Sequence, residues 1–353
     1  MIGVGRMIAA AAVALGLATG SASAAPETFK FAWPSAINSG VAPLTFATKL
    51  GLFEREGLKL ELVVLTGSGV IIPQLLRGSI DGAYSGLEPV ILAHQEDGPK
   101  FDIIFVYNFI PHTIWELAVK ANSDIKSVAD LKGKTIGVLA LSSSNVLTTK
   151  AILKAGGVDP DSVNFQGVGV GAAAYEALKN GQVDVLNLFD TAHARLELSG
   201  TPLRRLEIPK GFSGSSHGIS VAKKLLKEKP ELLGKFGRVM AEANVACEAN
   251  LEACIRSYWK AYPELAPNAA QEANAMEQEK KVLASRLANL LAVKAPYGEF
   301  PKEDWTNIVS ALQQGGLVKN PDVPFDLYYT NELVPAFNDF DKQAIINLAK
   351  KAK

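Results

Sequence analysis

The sequence predicts an α/β protein of two lobes with a helical C-terminal segment. Three observations lead to this fold class. Strand and helix patterns alternate over short glycine-rich turns from residue 28 onward, which is typical of βαβ units and mainly parallel sheets. A helix–glycine–strand junction at 76–81 recurs at 178–184 with one residue inserted, as expected of two similar lobes. After about Pro230, helical patterns replace the strand patterns.

Length and charge balance limit the function. The 353 residues, 20% charged and 48% hydrophobic, are typical of a soluble protein and exceed what one compact core accommodates. Lys plus Arg and Asp plus Glu balance at 36 each, and the sequence has no basic stripe to neutralise phosphates. Nucleic acid is therefore not expected as a partner.

The first 24 residues have the pattern of a secretory signal peptide. Arg6 precedes an apolar run at 7–17, and the small residues Ala22-Ser23-Ala24 stand where signal peptidase cleaves. The run is too short for a permanent membrane span, and an apolar core helix is the alternative interpretation. We expect cleavage after Ala24, no lipid anchor because no cysteine lies at the cleavage point, and a mature protein in the periplasm.

The elements of the two lobes follow in a regular order. The first lobe is predicted to contain strands at 28–33, 59–65, 80–84 and 101–107, with helices at 41–50 and 89–94 and another ending at Arg77. The pattern restarts with strands at 134–139, 163–168 and 183–189 and helices at 145–155 and 175–180. Helices are then predicted at 231–249, 251–262, 272–293, 302–314 and 336–350. We expect one lobe from 25–122 with 217–353, and a second from 123–216.

Cys247 and Cys254 are the two cysteines. On one unbroken helix they would lie roughly 10 Å apart, too far for a disulfide. Asn250 could end one helix before Leu251 starts another, and a disulfide closing that turn is then compatible with an oxidising compartment. Two buried free thiols are the alternative, and the sequence leaves both open.

Two motifs suggest enzymes. Gly214-Ser215-Ser216-His217-Gly218 fits the serine-hydrolase pattern G-x-S-x-G, but that motif must open into a helix, and Ile219-Ser220-Val221 has the pattern of a strand. Gly169-Val170-Gly171, with Ala174, fits a loose dinucleotide fingerprint between a strand and a helix, with Asp190 about twenty residues on. A nicotinamide-dependent oxidoreductase is therefore the enzyme alternative, although an exported protein meets little free cofactor.

No metal site or cofactor is expected. None of the four histidines has a zinc-ligand spacing with another ligand. His112 and His193 are candidate pocket residues, with a surface or satisfied core position as the simpler interpretation. The histidines are His94, His112, His193 and His217.

Small polar turns follow four predicted strands. In open α/β sheets these carboxyl ends face the ligand crevice, and free N–H groups at helix starts favour an anionic or carbonyl-bearing ligand. N-capping explains any single turn, but less easily all four on one side. The turns are 34–38, 67–69, 85–88 and 142–145.

The sequence resembles a known family, the substrate-binding proteins of ABC transporters that bind taurine, alkane sulfonates, nitrate and thiamine-pyrimidine precursors. The similarity runs in order over roughly 28–265. It rests on three segments: the KLGLFEREGL segment at 49–58, SVADLKGKTIGV at 127–138 and ALKNGQVD at 177–184. One branch of the superfamily is an enzyme with a Cys-rich metal motif, which this sequence lacks.

The resemblance implies a type II, Venus-flytrap periplasmic binding protein that closes over its ligand by hinge motion. It places ligand contacts at the strand ends of both lobes. Relatives have Trp-Glu or Trp-Asp followed by Pro where this chain has Phe189-Asp190-Thr191, so the ligand identity stays open. The implied contacts are Trp33, Asn38, Gly67, Ser68, Ser85, Glu88, Ser142, Ser143, Ser144, Phe189 and Asp190.

The expected function is therefore solute capture for an ABC uptake transporter, not catalysis. The partners are a small ligand and a permease at the inner membrane, and we expect a monomer. Ser-rich helix starts suit a sulfonate, carboxylate or nitrate group, Glu88 and Asp190 suit an amine or amidine, and Trp33 and Phe189 suit a flat ring. This pattern favours a pyrimidine-like or aminosulfonate solute, and a ligand sensor for a signalling partner is the alternative within the binding class.

Overall fold

The computed structural model describes residues 25–291 and 295–353. The predicted signal peptide, residues 1–24, lies outside the described residues, which begin at Ala25, the residue after the predicted cleavage point. The chain forms ten strands in the described part, arranged as two five-stranded sheets. In chain order the strands are β1 (Glu27–Trp33), β2 (Leu58–Val64), β3 (Gly82–Gly86), β4 (Ile103–Ile110), β5 (Trp115–Lys120), β6 (Thr135–Val138), β7 (Asn164–Gly167), β8 (Val185–Phe189), β9 (Leu203–Arg205) and β10 (His217–Ala222).

Both sheets combine a parallel core with antiparallel additions. The first has the order β2-β1-β3-β10-β4, with β1 parallel to β2 and β3, and β10 antiparallel to both of its neighbours. The second has the order β7-β6-β8-β5-β9, with β6 parallel to β7 and β8, and β5 antiparallel to β8 and β9. The chain thus crosses between the lobes after β4 and returns before β10.

The first crossing lies earlier than the sequence predicted. The expected division put residues 115–120 in the first lobe, whereas β5 pairs with β8 in the second sheet, from Trp115 opposite Phe189 to Ala118 opposite Leu186. The segment WELAVK is rich in Glu, Leu, Ala and Lys, which favour helices locally, so its strand state comes from tertiary pairing. The sequence pattern does not predict strand β9 either. It has three residues, two of them arginines, which is too short for a strand pattern.

Helices cover both sheets and form the C-terminal segment. They are α1 (Ala42–Lys49), α2 (Leu52–Arg55), α3 (Ser68–Leu76), α4 (Glu88–Ala93), α5 (Asn145–Ala155), α6 (Ala172–Lys179), α7 (Asp190–Leu198), α8 (Lys223–Glu228), α9 (Pro230–Ala249), α10 (Leu251–Ala261), α11 (Glu272–Leu291), α12 (Lys302–Gln314), α13 (Val334–Phe337) and α14 (Lys342–Lys351). Among the described residues, no helix combines the length and apolar character needed to cross a membrane.

The C-terminal segment contacts both lobes. Helices α9 and α10 pack on α1 in the first lobe, whereas α11 packs on α7 and α12 packs on α5 in the second. Where α12 ends, a Cβ on Gly315 would lie 2.3 Å from the Cβ of Ala151 in α5. The expected assignment of 217–353 to the first lobe alone therefore misses the contacts of α11 and α12.

The last predicted helix, 336–350, is two helices. It breaks between Phe337 and Lys342, because the Asp341 side chain accepts hydrogen bonds from the backbone N–H groups of Gln343 and Ala344 and starts α14 there.

A disulfide joins Cys247 and Cys254, whose Cα atoms lie 5.2 Å apart. Of the two alternatives that the sequence left open, the structure has the bond. Asn250 separates α9 from α10, and its side chain accepts from the backbone N–H of Ala253 at 3.1 Å. The chain therefore turns between the cysteines, as a seven-residue disulfide requires.

Candidate functional site

The turns after the parallel strands of the two sheets face each other. Strand β1 ends at Trp33 and strand β3 at Gly86, so residues 34–38 and the start of α4 leave the first sheet at one edge. In the second sheet, β6 and β8 end at Val138 and Phe189 at the corresponding edge. This is the arrangement expected for a ligand crevice in open α/β sheets.

The two lobes touch directly across this crevice. The backbone N–H of Gly69 donates to the carbonyl of Ser142 at 3.1 Å, and the Ser142 hydroxyl donates to the carbonyl of Thr66 at 3.1 Å. Gly67 has φ +85°, and a Cβ there would lie 2.7 Å from the Ser142 Oγ. A glycine is therefore required at this contact both by its backbone conformation and by the closeness of the second lobe.

A cavity lies between the touching lobes, with about 450 Å³ of space when the solvent at its opening is included. Both sheets, the turns and α11 contribute to its wall. The lining residues are Trp33, Pro34, Ser35, Asn38, Gly67, Ser68, Tyr84, Ile114, Trp115, Leu139, Ser143, Ser144, Phe189, His217 and Arg286.

Aromatic rings from both lobes form much of this wall. In the first lobe, the rings of Trp33 and Tyr84 stack with centroids 5.1 Å apart, and His217 lies 4.8 Å from Tyr84. In the second lobe, Trp115 lies 5.5 Å from the His217 ring and 6.0 Å, edge-on, from Phe189. All of these rings line the cavity, so a planar ligand there would meet aromatic side chains from both lobes.

Three hydrogen-bond donors in this aromatic wall have no partner among the described residues. They are the indole N–H groups of Trp33 and Trp115 and the hydroxyl of Tyr84, all buried. The buried hydroxyl of Ser143 is unpartnered as well. Buried polar groups are normally satisfied, so these atoms are candidate donors to a ligand, although the indole N–H of Trp305, away from the cavity, is unpartnered as well.

Helices α3, α5 and α7 start at the cavity, and α7 begins with the carboxylate of Asp190. Helix α3 begins at Ser68 and α5 at Asn145, and neither has a side chain that caps its N-terminal amides. The N-terminus of a helix carries partial positive charge and free N–H donors, so both ends favour ligand acceptor groups.

Arg286 of α11 is the only charged residue among the described residues that line the cavity. Its Nη2 lies 2.6 Å from Asp190 Oδ1, and the two side chains are 6% and 5% exposed. Burial lowers the pKa of Arg286, but the Asp190 carboxylate outweighs this and leaves the pKa above its usual value. The guanidinium also lies above the Phe189 ring, 5.8 Å from its centroid.

Histidine and tyrosine in the wall are neutral near pH 7. Burial, assisted by the positive charge of Arg286, lowers the pKa of His217 to about 3. Burial raises the pKa of Tyr84 far above its usual value, which Arg286 opposes. Tyr84 therefore keeps its proton as a donor, and His217 is an uncharged imidazole.

Seven of the eleven residues expected at the ligand line this cavity. These are Trp33, Asn38, Gly67, Ser68, Ser143, Ser144 and Phe189.

The other four expected residues do not line the cavity and contact protein groups instead. Ser85 Oγ lies 2.7 Å from Ser220 Oγ, and Ser142 reaches the carbonyl of Thr66. Glu88 accepts a hydrogen bond from Thr148 in the second lobe, and burial raises its pKa. Asp190, expected to hold an amine, instead pairs with Arg286.

Four residues with chemical significance were not anticipated from the sequence: Tyr84, Trp115, His217 and Arg286. Of these, Tyr84 could have been found, since it precedes Ser85 on a predicted strand whose end faces the crevice. Trp115 belongs to the strand that the sequence pattern missed. Arg286 lies almost a hundred residues from its partner Asp190 and has no local signal.

The two enzyme motifs have other structural roles. The hydrolase-like motif runs into strand β10 from His217 rather than into a helix, and the Ser215 hydroxyl donates to Asp304. The Ser216 Oγ lies 3.0 Å from His217 Nδ1, but an imidazole with a pKa of about 3 is a weak general base. In the dinucleotide-like segment, the acid needed for a ribose is Asp190, which is occupied by Arg286.

The expected candidate pocket residues His112 and His193 do not line the cavity. His112 is exposed, and the buried His193 has its Nδ1 2.8 Å from Glu116 Oε2.

A model of the family described as "NMT1/THI5 like" matches residues 38–250, more than half of the chain. The chain belongs to the NMT1/THI5-like family. The matched range includes the cavity-lining residues from Asn38 to His217, whereas Trp33, Pro34 and Ser35 precede it and Arg286 lies beyond its end.

Two curated proteins are similar to this NMT1/THI5-like chain. The riboflavin-binding protein RibY of Chloroflexus aurantiacus is 26% identical over 250 residues, 70% of this chain and 68% of that protein. The formylaminopyrimidine-binding protein of Halalkalibacterium halodurans is 24% identical over 302 residues, 84% of this chain and 87% of that protein. Both are named as binding proteins.

Solved structures show the fold. The alkanesulfonate-binding protein SsuA of Xanthomonas axonopodis, bound to MOPS, superposes with a TM-score of 0.65 at 18% identity, over 87% of this chain and 100% of that one. The periplasmic aliphatic sulphonate-binding protein SsuA of Escherichia coli gives 0.60 at 19% identity, over 84% and 90%. The two-lobed NMT1/THI5-like chain therefore has the periplasmic binding protein fold.

Proposed function

We propose that this protein is the solute-binding component of an ABC uptake transporter, and that it captures a small organic solute without catalysing a reaction. The observation that carries the proposal is the aromatic cavity between the lobes, whose buried donors lack partners. The names of the two curated relatives support it, since both are binding proteins for solutes with flat rings.

Capture requires contacts from both lobes at once. The ligand stacks against Trp33 and Tyr84 of the first lobe and against Trp115 and Phe189 of the second. Since these contacts exist together only when the lobes meet, the ligand binds the closed state better and shifts the population towards it. The closed form is then the species that a permease at the inner membrane recognises.

The ligand is sulfonate-like or pyrimidine-like. Serine hydroxyls and two helix N-termini suit acceptor oxygens, and the four rings suit a planar group. The amine-binding role expected for Asp190 loses support because its carboxylate is paired with Arg286. Glu88 accepts from Thr148 through Oε1, its Oε2 has no partner among the described residues, and its side chain does not line the cavity.

Export completes the proposal. The signal-peptide pattern supports cleavage after Ala24 and a protein in the periplasm, and a monomer is the state that we propose for it. Expression of the full chain with its N-terminus, followed by intact-mass analysis of the secreted product, tests this point: the proposal requires a product that begins at Ala25.

A thermal-shift screen of residues 25–353 tests the function itself. The compounds are sulfonates, pyrimidines, flavins, aromatic acids and inorganic anions, with NADH as the probe for the oxidoreductase alternative. A ligand at one hundred times its Kd adds about 2.7 kcal/mol, which raises the Tm by a few degrees. Hits confined to one chemical class support a solute receptor, and a response to NADH alone contradicts it.

A further inference from the structure

The Asp190 carboxylate is fully used by protein donors. It accepts from Arg286 Nη2 at 2.6 Å, from Arg286 Nε at 3.1 and 3.2 Å, from Asn289 Nδ2 at 2.8 Å and from the Thr191 N–H at 2.7 Å. A carboxylate has about four lone-pair sites, so Asp190 keeps little capacity for a ligand. Its role is to hold and neutralise Arg286.

The cavity wall therefore carries no net charge. Arg286 is compensated by Asp190 at contact distance, and His217 is uncharged. An anionic ligand would be buried without a full counter-charge, since the cavity offers only helix N-termini of about half a unit charge each, and that of α7 begins with the Asp190 carboxylate. An uncompensated buried charge is costly, so the wall disfavours an anion.

Each unpartnered polar group of the wall has a proton to donate, and the hydroxyls of Tyr84 and Ser143 can accept as well. The two indole N–H groups can only donate, and the Tyr84 hydroxyl is protonated. The bonds to Asp190 use Nε and Nη2 of Arg286, so Nη1 keeps two N–H donors that Asp190 does not engage. Such a wall is complementary to a ring bearing several acceptors.

We infer that the ligand is an uncharged planar heterocycle with carbonyl or ring-nitrogen acceptors, and that Arg286 is the residue that selects it. Asp190 is the positioning residue that holds the guanidinium and cancels its charge. This inference rests on the proposed function and narrows its ligand class. It also assigns a binding role to a helix that lies outside the part of the chain matched by the family.

Matched pairs of compounds test the inference by calorimetry on residues 25–353. Uracil is compared with orotate, which adds a carboxylate to the same ring, and riboflavin with its 5′-phosphate. The wild-type protein is expected to bind the uncharged member of a pair at least tenfold more tightly.

Variants of the ion pair provide the second arm. Asp190→Asn leaves Arg286 charged and uncompensated, so the preference for the uncharged member is expected to fall at least tenfold. Adding Arg286→Gln in the same chain removes the positive charge and is expected to restore the preference. Glu279→Gln is the matched control, because Glu279 lies on the same helix but pairs with Arg195 at 2.5 Å and does not line the cavity.

The outcomes distinguish failure of the ligand-class inference from failure of the proposed receptor function. Equal or tighter wild-type binding of the anionic member overturns the inference, and this comparison stands even if a variant fails to fold. An unchanged preference in folded Asp190→Asn protein overturns the role of the pair. Binding of alkanesulfonates alone overturns the ligand class but leaves the solute receptor intact, whereas no binding of any compound contradicts both.

Discussion

Gly86 and Ser144 meet across the cleft so closely that a Cβ atom on Gly86 would lie 1.9 Å from the Ser144 Oγ. Gly86 ends β3 in the first lobe, and Ser144 precedes α5 in the second. Since real Cβ atoms do not approach other atoms within 3.0 Å, the closed arrangement requires the absence of a side chain at 86. Closure of the cavity therefore depends on this glycine.

The variant Gly86→Ala is expected to weaken ligand binding at least tenfold, because the added methyl group keeps the lobes apart. Calorimetric titration with a hit from the screen measures the effect. Gly167→Ala is the control, since its Cβ would meet Ala140 at an ordinary 3.8 Å. Combining Gly86→Ala with Ser144→Gly removes the clashing hydroxyl and should recover part of the affinity. Wild-type affinity in Gly86→Ala alone would show that closure does not need the close approach of Gly86 and Ser144.

Trp115→Ala is expected to lower affinity by about 1–3 kcal/mol, the usual value of a stacking contact between an aromatic side chain and a planar ring. Trp115→Phe keeps a ring and loses the N–H donor, so its loss should be about 1 kcal/mol. Isothermal titration gives both values. Trp305→Phe, in a fully buried position away from the cavity, should change stability but not affinity. Equal effects of Trp115 and Trp305 would contradict the assignment.

His217 is expected to make the protein sensitive to acid. Its pKa is about 3 in the folded protein against an ordinary 6.5, so between these values the unfolded chain binds a proton that the folded one does not. The free energy of unfolding therefore falls as the pH decreases through this window, by up to about 1.4 kcal/mol per pH unit from this residue.

Urea unfolding of wild type and His217→Phe between pH 4 and 6 measures this contribution. The variant should show a shallower dependence on pH, with His112→Phe at an exposed histidine as the control. Glu88 contributes to the pH dependence of the unfolding free energy with the opposite sign, because its raised pKa stabilises the fold at low pH. This contribution is the same in both proteins and does not affect the comparison. Parallel curves for wild type and His217→Phe would contradict the neutral, buried state of this imidazole.

The disulfide is expected to stabilise the fold without affecting binding. Closing a loop of this length contributes about 2 kcal/mol in the chain-entropy description. The double variant Cys247→Ala, Cys254→Ala should lose about this amount in denaturant unfolding and keep the affinity of the wild type, because neither cysteine lines the cavity. A large loss of affinity would show that α9 and α10 communicate with the ligand site.

Local sequence patterns predicted much of the fold. The repeated junctions place Gly78 at φ +69° and Gly181 at φ +72°, and both end a helix before a short buried strand. Helix α5 has the predicted bounds, and Asn250 separates α9 from α10 as expected. These features depend on glycine conformation, capping and apolar periodicity, which are properties of neighbouring residues.

The site was predicted only in part because it depends on contacts between distant segments. The local pattern of small polar turns after strands included Ser68, and the family resemblance added Trp33 and Phe189; all three line the cavity. The pairing of Asp190 with Arg286 joins residues 96 positions apart, and no local pattern announces it. The same pairing removes Asp190 as an amine ligand, so the predicted ligand chemistry changes with a contact that the sequence does not show.

A crystal structure of residues 25–353 with the tightest-binding compound tests the central claim most directly. We predict electron density for the compound between the lobes, with its ring against Trp33, Tyr84, Trp115 and Phe189 and an acceptor within hydrogen-bond distance of Arg286. Density at any other place, with the cavity between the lobes containing solvent alone, would contradict the claim that this protein captures its solute by closing over it.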